Sequence, residues 1–424
     1  MGTLLRDIRL VIGSDRSRVF RFEAGSFVDV GDDGIASEPG DAIIEGAGKL
    51  AFPGFANVHT HLAMVLFRGL ADDVPLETWL EDYIWPIERK LTPEDVYWCT
   101  LLALCEVIRS GTTCLADMYF HTAEVARAVE ESGLRALISY GMVAESLDAK
   151  GRAELKTTRR MVERWDGAAG GRIGVAISPH AVYTCGEAVW REAIEMARDL
   201  DVPIHTHLAE TRHEVEEWRT RTGESPVAYL DRIGALEVPM LAAHCVHVDE
   251  ADIDILARRG VRVAHCPKSN AKLGSGVAPI TAMREAGVIV ALGTDGAASN
   301  NRLDMIEEMR AAWIVQRAYH EDPTRLSGED VVEMAIAEGR RALGHPEGGL
   351  KVGAVADVVL LDPNRSHTCP PHDPVPTLAY AASAADVTDV VVDGRFLLKD
   401  GELLTIDEER VQSEVARLLR RVKT

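Results

Sequence analysis

Two histidines, His59 and His61, flank a single threonine in "FANVHTH", and the spacing recurs in "VPIHTHLAET", where His205 and His207 precede Glu210. His180 closes "RIGVAISPH", "LAAHCVH" carries His244 and His247, and "ALGTDGAASNN" carries Asp295. Imidazole nitrogens and carboxylate oxygens ligate divalent metals. Three histidines, one aspartate and an open position for water suit a catalytic zinc or a similar ion. Such an ion lowers the pKa of its water to about 7. A neighbouring carboxylate and histidine can then move protons and polarise the atom under attack. A His-x-His alone is weak evidence, because any i, i+2 pair on a strand faces one side.

The meaning lies in where these residues fall. Between residues 54 and 351, short apolar runs alternate with segments of helical period. The strand candidates are "FANVHTH", "TTCLADMY", "LRALISYG", "RIGVAISPH", "VPIHTHLAE", "VPMLAAHCVHV", "VRVAHCPKSN" and "VIVALGTDG"; helical patterns such as "GEAVWREAIEMARDL" lie between them. Near-continuous apolar strands, each followed by a helix, predict an α/β fold: a parallel (β/α)8 TIM barrel. The polar residues sit at the C-terminal ends of strands one, four, five, six and eight, which form the rim that carries chemistry in such barrels. His205 lies one layer below His207 and reads as a hydrogen-bonded core or supporting histidine. His121, His247 and His265 read as structural, and the cysteines beside His244 and His265 as packing. The fourth strand contains no lysine to bridge two metals, so a single ion is expected.

The two ends differ from the middle. Residues 1–53, with turns such as "VGDDG" and "EPGD", and residues 352–424, with "VGAVADVVLLD" and "VTDVVVDGRFLLKDG", read as short strands. Neither set can bury a sheet alone. They are expected to form one small β-sandwich, with the barrel of residues 54–351 inserted between its parts and a helix at the C-terminus.

The chain has 46 basic and 67 acidic residues, a net charge of −21, which disfavours nucleic acid and anionic membranes as partners. It has no long apolar leader and no window of 18 unbroken apolar residues, so a cytoplasmic location is expected. Its seven cysteines, none in a C-x-x-C spacing, read as free thiols. Self-association is left open.

"PGFANVHTH", "HLAET", "AAHCVH" and "GTDGAASNN", with "LADDVPLETWLEDYIWPIERKLT", resemble the amidohydrolase superfamily, and within it the 5′-methylthioadenosine/S-adenosylhomocysteine deaminase family. The resemblance spans nearly the whole chain. It implies His59, His61, His207 and Asp295 as metal ligands, most simply for Zn²⁺, with Fe²⁺ or Mn²⁺ fitting similar donors. It implies Glu210 as proton shuttle, His244 as the histidine contacting the attacking water, and Asp295 as the base. Trp79, Glu88 and His180 fall on nucleoside-binding positions, Glu88 at the ribose hydroxyls. The implied reaction is hydrolytic deamination of the adenine ring of adenosine-type nucleosides to the inosine analogue and ammonia. There is one departure. Where relatives acting on S-adenosylhomocysteine hold its carboxylate with two arginines, this chain has Tyr140 and Arg152 at the matching positions. That lowers the rank of S-adenosylhomocysteine against 5′-methylthioadenosine, adenosine and 5′-deoxyadenosine. Two other readings share the scaffold: a guanine deaminase or s-triazine hydrolase, and a catalytically inactive binding module.

Overall fold

The computed structural model describes residues 2–12, 17–31, 34–70, 72–74, 78–345 and 349–422. Asp32 and Asp33 of the "VGDDG" turn, and residues 71 and 75–77 of "LADDVPLETWL", lie outside the described residues.

The N-terminal segment supplies β1 (Thr3–Leu10), β2 (Ser17–Glu23), β3 (Ser26–Gly31), β4 (Ala42–Glu45) and β5 (Leu50–Phe52). The barrel follows: β6 (Phe55–Thr60), β7 (Thr112–Tyr119), β8 (Arg135–Met142), β9 (Ile173–Pro179), β10 (Ile204–Leu208), β11 (Met240–His244), β12 (Arg262–His265) and β13 (Ile289–Leu292). The C-terminal segment adds β14 (Val358–Leu361), β15 (Val387–Val392), β16 (Arg395–Lys399), β17 (Glu402–Leu403) and a helix over Glu408–Val422.

Eight parallel strands run in sequence order from β6 to β13. Their lower interior is lined by small residues, including Ala56, Ala116, Ala176, Ala243, Ala264 and Ala291. The strands from the two ends make one sheet rather than two, because β5 pairs in parallel with β1 and antiparallel with β14. This sheet returns on itself where Phe27 N–H donates to Ala354 O (2.9 Å) and Ala356 N–H to Gly25 O (2.8 Å). It thereby encloses Leu5, Phe20, Phe22, Phe27, Val358 and Leu360, the small sandwich expected of the two ends.

A buried ion cluster joins sandwich to barrel. Arg340 is 0% exposed, and its Nη2 lies 2.8 Å from Asp357 Oδ2, which also receives Arg135 Nε at 3.0 Å. Burial pushes Asp357 up, but the two arginines outweigh it and hold its carboxyl below the usual range. Asp357→Ala strands a buried cation, so a loss of about 3–5 kcal/mol is expected in chemical denaturation. The sign with pH follows. A depressed folded pKa gives stability present above the ordinary aspartate value of about 3.9, and lost as pH falls through the folded value. A variant within about 1 kcal/mol of the parent contradicts this account.

Candidate metal centre and its cleft

The barrel closes where its first and last strands meet. Asp295 N–H donates to His59 O (2.9 Å), and Asn57 spans the seam, its Oδ1 accepting Thr294 N–H at 2.9 Å and its Nδ2 donating to Thr294 Oγ1 at 2.8 Å. Gly293 is required at this crossing, because a Cβ there would lie 2.9 Å from both the nitrogen and the Cβ of His59.

His59 and His61 leave the end of β6 on one side, as strand alternation requires. His61 Nδ1–H donates to Met118 O (2.6 Å), and His207 Nδ1–H to His180 O (2.9 Å). Carbonyls only accept, so both rings carry their proton on Nδ1 and present bare Nε2 lone pairs. His59 repeats the pattern through a side chain: its Nδ1 lies 2.9 Å from Nε2 of the fully buried His205. Burial and then the surrounding imidazoles hold His59 and His207 well below the ordinary histidine value, so both rings are neutral.

The ligand atoms of His59, His61 and His207 lie within 4.8 Å of one another. His61 Nε2 is 3.3 Å from His207 Nε2, and Asp295 Oδ1 is 3.3 Å from His61 Nε2 and 3.7 Å from His59 Nε2. Nε2 of His59 is buried with no hydrogen-bond partner. Lone pairs converging this way repel unless a cation lies among them. Two nitrogens each about 2.0–2.1 Å from one tetrahedral ion sit about 3.3–3.4 Å apart, so the donor set fits a zinc-like metal.

Asp295 is aimed by its neighbours. Its Oδ2 accepts Ser269 Oγ–H at 2.6 Å and Ser299 Oγ–H at 2.9 Å, and its Oδ1 accepts Gly296 N–H at 2.7 Å. Burial opposes its charge, but His61, His244 and these donors win, so it stays below the usual carboxylate range. Behind it, Glu308 accepts Asn300 Nδ2–H (2.5 Å) and Lys268 N–H (3.4 Å), tying the turns after β12 and β13 together.

Beyond β10 the chain turns sharply at Ala209 (φ 51), and buried Glu214 accepts the N–H groups of Glu210 (2.8 Å) and Ala209 (3.3 Å). The turn points Glu210 into the cleft, where burial pushes its carboxyl up. His244 Nδ1–H donates to Asn270 Oδ1 (2.9 Å), which leaves Nε2 facing Glu210 Oε2 at 3.8 Å. Burial opposes charge on His244, but Glu210 and Asp295 raise it above its ordinary value. Ala209, His244, Cys245 and Asp295 all have left-handed φ, so backbone strain gathers at this rim.

A cleft opens above these donor atoms. Of the residues singled out in the sequence, His61, Trp79, Glu88, His180, His207, Glu210, His244 and Asp295 line it, with His59 just beneath. Tyr140 and Arg152 do not. On β8, Leu137 joins the barrel-core cluster and Gly141 lines the cleft, so alternation turns Tyr140 to the opposite face, where Glu154 raises its phenol further after burial. Arg152 is an exposed residue of the helix Ala149–Trp165. The structure thus does not bring Tyr140 and Arg152 to the cleft, and among the described residues lining it there is no lysine or arginine. Sequence reasoning missed Ser269, Asn270, Ser299 and Glu214. Their signal was position, polar residues within a turn of strands seven, eight and five, but their types are those of ordinary caps and loops.

The family model described as "Amidohydrolase family" matches residues 50–397. The chain is 47% identical over 393 residues to the 5-methylthioadenosine/S-adenosylhomocysteine deaminase of Pelotomaculum thermopropionicum, covering 92% of this chain and 90% of that protein. It is 49% identical over 375 residues to the 5′-deoxyadenosine deaminase of Methanothermobacter thermautotrophicus, covering 88% of each. The crystal structure of an adenosine deaminase from Xanthomonas campestris with bound zinc superposes with a TM-score of 0.94 at 33% identity, covering 99% of this chain and 98% of that one.

Proposed function

The chain belongs to the amidohydrolase family, and on that premise we propose that it is a metal-dependent aminohydrolase replacing the C6 amino group of adenosine-type nucleosides with oxygen. The observation that carries this reading is the convergence of three bare Nε2 atoms and Asp295 Oδ1 beside Glu210, whose carboxyl burial pushes up. His59, His61, His207 and Asp295 would hold one divalent ion, proposed as Zn²⁺, with Fe²⁺ and Mn²⁺ fitting the same donors. Bound there, the ion supplies Lewis acidity that makes a water nucleophilic at neutral pH.

The protein's own groups handle the protons. Asp295, fixed by two serines, takes a proton from the attacking water at Oδ1. Glu210 protonates ring nitrogen N1, which makes C6 electrophilic. His244 Nε2, opposite Glu210, orients the water. Asp295 passes the water's proton to the C6 amine, the C6–N bond breaks and ammonia leaves, and the C6 hydroxyl proton restores Glu210, so one water is consumed for each amine released. Glu88 accepts the ribose hydroxyls, and Trp79 and His180 position base and sugar. A small neutral nucleoside also suits the net charge of −21 better than a polyanion does. No helix among the described residues is long and apolar enough to cross a membrane. The six buried free thiols support a cytoplasmic location within this reading.

The test is loss of the adenine absorbance on adenosine, 5′-methylthioadenosine, 5′-deoxyadenosine and S-adenosylhomocysteine. With no lysine or arginine among the described residues lining the cleft, the S-adenosylhomocysteine carboxylate forgoes a charge-assisted contact. Its kcat/KM is therefore expected to fall about tenfold or more below the best neutral substrate. A preference for S-adenosylhomocysteine overturns that ranking. Inactivity of metal-replete protein on all four overturns the deaminase reading itself.

A further inference from the structure

Glu88 depends on one residue that sequence reasoning left in an apolar run. It ends the short helix Trp85–Glu88, part of the segment that covers the cleft. Burial pushes its carboxyl up, and a glutamate has three side-chain torsions to fix before it can present an oxygen to a ligand. Among the described residues, one donor reaches that carboxylate: the Tyr119 hydroxyl donates to Glu88 Oε1 at 2.6 Å.

Tyr119 is well placed to impose a geometry. It is the last residue of β7, 4% exposed, and paired on the β8 side with Tyr140. The phenol oxygen is therefore fixed by the barrel rather than by the covering segment that carries Glu88. The same strand end supplies Met118 O, which orients His61, so the metal centre and the phenol are positioned from one backbone. Donation to Oε1 occupies one of about four carboxylate lone pairs and leaves Oε2 and the second Oε1 lone pair for a ligand with two adjacent hydroxyls. It also favours the ionised carboxylate against burial, and an ionised acceptor binds hydroxyl donors more strongly.

We propose that Tyr119 is a positioning residue that sets specificity for the ribose cis-diol, by holding Glu88 in the orientation that accepts the 2′- and 3′-hydroxyls. This rests on the reading that Glu88 meets the ribose. Nothing in it requires Tyr119 to touch the substrate or to move a proton.

The experiment compares Tyr119→Phe with the parent holoenzyme on adenosine and 2′,3′-dideoxyadenosine, measuring KM and kcat for each and thermal unfolding of both proteins. Phenylalanine keeps the ring and removes only the donor. The expected result is a rise of about tenfold in KM for adenosine, kcat within about twofold, and no change in KM for the dideoxynucleoside. Equal changes on both substrates, or no change on either, overturn the proposal while a parental preference for adenosine leaves the Glu88 reading standing. Equal parental KM values for the two substrates overturn the Glu88 reading and this proposal with it.

Discussion

Glu210→Gln should leave a folded, metal-loaded protein that hardly turns over, with kcat down by about 10²–10⁴-fold. The glutamine keeps the shape of a side chain that lines the cleft and lies 3.8 Å from His244, but it has no proton to give. Glu210 is not among the converging ligand atoms of His59, His61 and His207, so metal content after dialysis should match the parent. The pH dependence has a definite sign. Burial raises the Glu210 carboxyl, so the protonated form persists above the ordinary glutamate value of about 4.3. Activity that needs that proton falls on the alkaline side as Glu210 ionises, and this limb should vanish from the residual activity of the variant. A kcat within about tenfold of the parent, at equal metal content, sinks the assignment of Glu210 as proton donor.

His61→Ala should fail differently, by losing the ion. His61 has its Nδ1 committed to Met118 O and its Nε2 placed 3.3 Å from both His207 Nε2 and Asp295 Oδ1. Removing it breaks the donor set at its centre. Affinity should drop by more than the 10–100-fold that loss of a supporting partner typically costs. Competition with a chelator reads this directly, and turnover should fall with occupancy. His244→Ala is the contrast, since it should keep the metal and lose rate. Retention of one ion per chain at parental affinity by His61→Ala would falsify the ligand set.

The barrel was legible because strands buried on both faces read as unbroken apolar runs, and β6 to β13 occur where those runs do. The site was legible where alternation could be counted. His59 and His61 share a side, His205 lies beneath His207, and the structure places His205 Nε2 against His59 Nδ1 as a supporting contact. Tyr140 shows the limit of matching by resemblance, since one step along β8 moves a side chain from the cleft to the opposite face. Ser269, Ser299 and Asn270 were illegible for another reason. A hydroxyl or amide after a strand looks the same whether it caps a turn or clamps Asp295 and His244, and only the approach of neighbouring strands decides. Tyr119 was hidden by its surroundings, because in "TTCLADMY" every residue is buried and the ring passes for core. The terminal strands were read correctly as partners, but that β5 would bridge β1 and β14 into one sheet depends on pairing, which local pattern does not encode.

The seam across Asn57 and Thr294 joins residues 237 positions apart in the chain. The same few residues bring His59 and Asp295 side by side, so the last contact needed to close the cylinder is also the first needed to assemble the ligands. Closing a loop of that length is slow and entropically costly, and no partial barrel offers the full donor set. An ion held by His59 and Asp295, as proposed, would act as a rivet across this joint of the cylinder. Chelation should be felt first as faster amide exchange along β6 and β13, while the strands opposite keep their protection.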